Sequence, residues 1–278
     1  MTSSPPDTKP GAKSAPGDAG LHLGHGLVLF AGLLLVGGAL LLGLHPASGP
    51  LPDFDIDGPV EARKQAFFEF LAPLIREENA RVAAQRERLL ALEARMEAGQ
   101  EPGWWARRWL RARAIEYELE ADPERAFDET VAALKLRIDT VPPALAMVQA
   151  AAESAWGRSR FARQANNLFG QWCYEPGCGL VPRRRSQGAR HEVAAFESPR
   201  QSVRRYLHNL NSHPAYAPLR RIRAGLREAG EPPRALALAD GLIRYSERRQ
   251  AYVDEIKAVI RSNRKLIDEA LARVEAGQ

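Results

Sequence analysis

From residue 59 onward, apolar residues return at three- and four-residue steps, and that spacing predicts a chain made mainly of α-helices. In "PVEARKQAFFEFLAPLIREENARVAAQRERLLALEARMEAG" (59–99), Phe67, Phe70, Leu71, Leu74 and Ile75 share a face, and Gly99 stops the run. Pro73 is expected to kink or divide this helix, because it lacks an N–H and crowds the preceding turn. "PGWWARRWLRARAIEYELE" (102–120) and "PERAFDETVAALKLRID" (123–139) read as further amphipathic helices. Trp104, Trp105 and Trp109 could graze a membrane or meet sugar, but packing in the core or at a domain interface is the expectation. In "TVPPALAMVQAAAESAWG" (140–157), paired prolines open a helix and Gly157 closes it. Alternation typical of a strand is confined to the neighbourhood of residues 190–197, and no internal repeat is present. The Gly-, Pro- and Arg-rich stretch from Gln171 to Phe196 therefore reads as a loop or small β-hairpin inserted between helices.

A different pattern occupies the N-terminus. Residues 1–22 are rich in Pro, Ser, Gly and Ala and are expected to be a disordered tail. Gly26 to Leu44 then gives nineteen residues without a charge. That is about the length that crosses a roughly 30 Å hydrocarbon core, so 23–45 is read as an uncleaved transmembrane anchor. A cleaved signal peptide is the competing reading, but its apolar stretch is usually shorter and "GLHPASGP" has no clean cleavage site. Lys9 and Lys13 precede the span, while no Lys or Arg follows it before Arg63, which puts the N-terminus inside and the rest outside the inner membrane. A Pro/Gly/Asp linker (46–58) leads away from the membrane.

Composition adds to this picture in two ways. The 278 residues are 45% hydrophobic, as a globular protein requires, and carry a net charge of +5 drawn mostly from arginine, since only six of the 39 basic residues are lysines. Between 183 and 227 there are eleven arginines and two acidic residues: a solvated basic face, or one that attracts an anionic polymer. An exported orientation argues against a nucleic-acid partner. It suits the two cysteines, since Cys173 and Cys178 in "WCYEPGCG" enclose a short turn and form a candidate disulfide in an oxidising compartment. A partial metal site is the rival reading and lacks nearby ligands. His208 and His213, five apart, are poorly spaced on a helix to share an ion, so no metal or cofactor is expected.

The candidate chemistry lies in "AAAESAWGRSRFARQANNLFGQW" (150–172), where Glu153 stands among alanines near the end of its predicted helix. Apolar surroundings and the negative end of the helix dipole both disfavour a carboxylate there, which raises the pKa. A carboxyl group that keeps its proton near neutral pH is what general acid catalysis needs, and glycoside hydrolysis commonly uses one. An exposed Glu on an ordinary helix is the bland alternative.

These residues carry a resemblance. Glu153, Ser154, Trp156, Gly157, Ser159, Asn166, Asn167, Leu168, Phe169 and Gly170 are similar to the pattern of the glucosaminidase family of peptidoglycan hydrolases, glycoside hydrolase family 73, most of all its Bax-like branch. The similarity continues through 195–220 and 241–263 and reaches back to "EARKQAFFEFLAPLIREEN". The resemblance implies a lysozyme-like α-lobed fold with a groove for a glycan strand. It also implies hydrolysis of the β-1,4 bond between N-acetylglucosamine and N-acetylmuramic acid, with Glu153 as general acid. Residues 141–265 would then be the catalytic domain, 59–140 a helical region packed on it, and 266–278 the end of the last helix. Trp156, Asn167, Phe169, Trp172, Tyr216 and Tyr245 are the implied substrate contacts, with Asn167 fixing the loop and any of the aromatics alternatively plain core. An inverting mechanism needs a second carboxylate roughly 6.5–9.5 Å away. Glu192 is the weak choice over Glu197 and Glu175, and assistance by the substrate's acetamido group is the alternative. A lytic transglycosylase or muramidase and a non-catalytic wall-binding scaffold are the rival functions.

Overall fold

The computed structural model describes residues 51–55, 57–119, 126–183, 188 and 190–277. The expected tail and membrane anchor lie outside them. Among the described residues no helix is long and apolar enough to cross a membrane.

The helical expectation holds. Ten α-helices are described: α1 (Val60–Glu97), α2 (Trp104–Glu116), α3 (Phe127–Arg137), α4 (Pro143–Ser154), α5 (Arg160–Ala165), α6 (Pro199–Ser212), α7 (Ala217–Glu228), α8 (Ala235–Leu238), α9 (Gln250–Ser262) and α10 (Arg264–Glu275). Between α5 and α6 lie three short strands, β1 (Trp172–Cys173), β2 (Gly179–Leu180) and β3 (Glu192–Ala194). They form one antiparallel sheet in the order β1-β3-β2, with Trp172 opposite Val193 and Leu180 opposite the same residue from the other side. The insertion read as a loop or hairpin is thus a three-stranded flap. Ser159 and Ser198 cap α5 and α6 through their side chains, each accepting a backbone N–H three residues on.

α1 continues unbroken through Pro73, so that residue does not divide it. Phe67, Phe68, Leu71, Leu74 and Ile75 in its first half are buried. They pack with Leu145, Val148 and Ala151 of α4, Val203 and Leu210 of α6 and Val253 and Ile256 of α9 in the main core. Burying each such side chain contributes about 1.5–3 kcal/mol, and this packing outweighs the hydrogen bond that Pro73 removes. The second half of α1 supplies Val82, Leu89 and Leu92 to a smaller core with Leu110, Tyr117, Val131, Leu134 and Ile138.

Polar contacts set the register between these parts. Asn79 Nδ2 donates to the Val141 carbonyl (2.8 Å) and its Oδ1 accepts the Val141 N–H (3.0 Å), fixing the chain just before the prolines that open α4. The Arg204 guanidinium donates twice to Glu78, joining α6 to α1. Asp139 is buried and accepts two hydrogen bonds from Arg227, at 3.1 and 2.9 Å, with Arg223 and Arg86 beside it. Burial alone would raise the Asp139 pKa, but the Arg227 hydrogen bonds and the three guanidinium charges hold it below the usual carboxylate value.

Candidate active site

α4 ends one residue beyond Glu153, and the sequence there folds into an abrupt elbow. Ser154 Oγ donates to the Ala150 carbonyl and accepts the Gly157 N–H, while the Ser154 carbonyl accepts the Ser159 N–H. Ala155, Trp156 and Gly157 then adopt positive φ in succession, at 51°, 61° and 78°. Two of these are non-glycine residues, so the elbow is strained and is held by its packing. A side chain on Gly157 would place its Cβ 2.5 Å from the Phe54 ring, which explains the glycine of the Trp-Gly pair. Trp156 lies edge-on to Phe67 and tilted against Phe68, with the Lys64 ammonium over its ring.

The Asn-Asn-Leu-Phe-Gly stretch brings a loop back beside the acid. Asn166 ends α5 at φ 51° and donates to the Phe196 carbonyl. Buried Asn167 makes four hydrogen bonds: it donates to the carbonyls of Gln171 and Ala194 and accepts the N–H groups of Phe169 and Gln171. Phe169 is buried and stacked on Tyr206, with ring centroids 3.9 Å apart. At Gly170, a Cβ would stand 3.5 Å from Glu153 Oε2, so the absence of a side chain leaves that oxygen uncovered on this side.

Glu153 itself is partly buried and ends a hydrogen-bond chain. Tyr206 Oη donates to Gln149 Oε1 (2.7 Å), Gln149 Nε2 donates to Tyr252 Oη (3.0 Å), and Tyr252 Oη donates to Glu153 Oε1 (2.8 Å). Each link fixes the direction of the next. The single hydroxyl hydrogen of Tyr252 is committed to Oε1, so a proton on Glu153 resides on Oε2, the oxygen toward Gly170. Burial raises the Glu153 pKa, Glu255 adds to the rise, and the Tyr252 hydrogen bond and the Arg248 charge oppose it. The direction is the one expected from the alanine run. Burial likewise pushes the Tyr216 hydroxyl up to about 12, with the Glu153 charge adding to the rise, and raises Tyr206, Tyr245 and Tyr252. These phenols keep their protons, and Tyr206, Tyr245 and Tyr252 act as donors.

Tyr245 stacks on Tyr252 at 5.4 Å, approaches Tyr216 at 5.8 Å, and donates its hydroxyl to the Phe169 carbonyl. The structure thus gathers Glu153, Phe169, Tyr216 and Tyr245 around one aromatic cluster. Trp172 lies on β1, exposed, and stacks with His191 at 4.2 Å. Glu192 is buried on β3, where its two oxygens accept the N–H groups of Gly177 (3.1 Å) and Gly179 (2.9 Å). Cys173 and Cys178 are joined by a disulfide across the same turn. One atom each from Cys173, Cys178 and Glu192 fall within 4.8 Å of one another, but the sulfurs are bonded together, so this group staples a turn.

Gln149, Tyr206 and Tyr252 were not singled out from the sequence. Gln149 carries a legible signal: it is a polar residue in the apolar helix four positions before Glu153, on the same face. Nothing local marks Tyr206 or Tyr252, whose partners are 57 and 99 residues away.

The chain belongs to the glucosaminidase family, in its Bax-like branch: residues 130–265 match the family model described as mannosyl-glycoprotein endo-β-N-acetylglucosaminidase. It is also 33% identical over 223 residues to Protein bax of Escherichia coli (strain K12), covering 79% of this chain and 77% of that one. No solved structure gives a significant match.

Proposed function

We propose that this protein is an endo-β-N-acetylglucosaminidase that cleaves the β-1,4 bond between N-acetylglucosamine and N-acetylmuramic acid in peptidoglycan. Glu153 Oε2 donates the proton to the leaving oxygen. The observation that carries this reading is the Glu153 carboxyl itself, its pKa raised by burial and one oxygen held by Tyr252, leaving the other for a substrate beside Gly170. Family membership supports a glycosidic bond of peptidoglycan as the target, and the eleven arginines between 183 and 227 suit a polymer bearing carboxylates.

Both oxygens of Glu192 already serve the turn that follows β1. This favours attack on the anomeric carbon by the substrate's acetamido oxygen, as Glu153 protonates the departing oxygen, over attack by a water that Glu192 would activate. Water then opens the resulting ring and restores the acetamido group, with Glu153 recovering its proton. Exposed Trp172 offers an apolar face for a sugar ring. The uncharged stretch from Gly26 to Leu44 and the lysines before it support an inner-membrane anchor with this domain in the periplasm.

The test is digestion of purified peptidoglycan by the wild-type chain and by Glu153→Gln, with mass analysis of the released ends. Reducing N-acetylglucosamine ends made by the wild type, and reduced at least a thousandfold in the variant, are expected. Anhydro-muramic ends would make the chain a lytic transglycosylase and reducing muramic ends a muramidase. No release by either protein would leave a wall-binding scaffold.

A further inference from the structure

α2 packs through Ala106, Trp109 and Leu110 into the smaller core, with the Arg88 guanidinium over the Trp109 ring. The opposite side of the same helix, at about 3.6 residues per turn, carries Trp104, Arg108, Arg111 and Ile115, with Trp105 at its edge. A helix on a soluble surface normally turns charged residues outward there. Here the two indoles are 63% and 73% exposed and Ile115 is 75% exposed, which corrects the expectation that the tryptophans pack in the core or at a domain interface; of the three tryptophans, only Trp109 packs inward among the described residues.

The charges on this face are also unbalanced. Glu101 is paired with Arg107 at 2.9 Å and Glu116 with Arg113 at 2.6 Å. Among the described residues neither Arg108 nor Arg111 is ion-paired, and the Arg108 guanidinium lies 5.9 Å from the Trp104 ring centroid. Two cations thus stand among three large apolar side chains.

We propose that this face of α2 is a membrane-surface contact that seats on anionic phospholipid. Trp104, Trp105 and Ile115 enter the boundary between headgroups and acyl chains, and Arg108 and Arg111 meet the phosphates. Indoles favour that boundary because they have an apolar body and one N–H, and arginine next to them adds attraction to a negative surface. Two observations separate lipid from other occupants. The indole rings meet at 77°, edge to face, so they offer no shared flat platform for a sugar. A second copy seated on the same face would bring four unpaired guanidinium groups together. The contact is independent of the reaction at Glu153 and of how residues 23–45 are arranged.

Tryptophan emission of the full chain, reconstituted with vesicles of phosphatidylethanolamine and a minority of phosphatidylglycerol, tests this. Some of the lipid carries bromine on its acyl chains as a quencher. Wild-type emission should be quenched, and Trp104→Ser/Trp105→Ser should lose most of that quenching while keeping its far-UV circular dichroism. Arg108→Gln/Arg111→Gln should need severalfold more phosphatidylglycerol to reach the same quenching. Equal fractional quenching in the wild type and the tryptophan variant would overturn the proposal. So would equal quenching in purely zwitterionic vesicles, or a blue shift of these indoles caused by soluble glycan fragments and not by lipid.

Discussion

Gly157→Ala tests whether the elbow after Glu153 is held by packing. Two costs add at this position. Placing a Cβ on a residue at φ 78° costs about 1–2 kcal/mol, the ordinary penalty of left-handed backbone. The new carbon would also stand 2.5 and 2.9 Å from two atoms of the Phe54 ring and 3.1 Å from Phe67. Neither ring has free space, since Phe54 lies edge-on to both Phe67 and Phe70 and is itself buried. Overpacking of this kind costs about 1–3 kcal/mol, so the substitution should destabilise by about 2–5 kcal/mol in all. Gly177→Ala is the internal control: its φ is 82°, but nothing lies within 4 Å of its added Cβ, so only the backbone cost applies. Urea unfolding followed by circular dichroism reads both. Adding Phe54→Leu should recover part of the Gly157→Ala loss and none of the Gly177→Ala loss. Equal destabilisation by the two glycine substitutions, with no recovery, would refute the claim that Phe54 fills the space Gly157 leaves.

Further predictions concern protons. Tyr252→Phe removes a hydrogen bond that favours the Glu153 carboxylate, so the Glu153 pKa should rise further. In the proposed role Glu153 works only while protonated, so the alkaline limb of kcat/KM should move to higher pH, and a limb moved to lower pH would contradict that role. The same variant leaves the buried Gln149 amide without its acceptor, at about 1–3 kcal/mol of stability measurable by urea unfolding. Asp139 has a lowered pKa when folded, so its stabilisation is complete above its unfolded value and lost as pH falls through the folded one. Asp139→Asn should cost about 3–5 kcal/mol at neutral pH, because Arg223 stays buried without its counter-charge, and the variant should lose less stability than the wild type on acidification. A parallel acid response in both proteins would show that Asp139 is not the coupled group.

What the sequence disclosed was local, and what it withheld depends on distant partners. Helical periodicity, the glycine that closes α4 and the acid among alanines are local features, and each is readable from spacing. Pro73 does not divide α1, because the local rule that proline ends a helix yields to the side chains buried on either side of it in the main core. Trp104 and Trp105 misled: bulk apolar surface argues for burial, yet α2 has one core-facing side and Leu110, Trp109 and Ala106 already occupy it. The relay from Tyr206 through Gln149 and Tyr252 spans three helices, and no spacing rule predicts which phenol meets which amide.

The sharing of α1 between two cores bears on where this molecule could be cut. The family match begins at residue 130, yet Phe67, Phe68, Leu71, Leu74 and Ile75 come from a helix that ends before it. Ile267 and Ala270, beyond its other end, also pack into the main core. A fragment trimmed to the matched segment would lose one wall of its interior and present the apolar sides of α4 and α6 to water. The matched segment is therefore not a folding unit, and because Phe54 also packs into the main core, insertions, fusions or circular permutations belong before Leu51 or after α10.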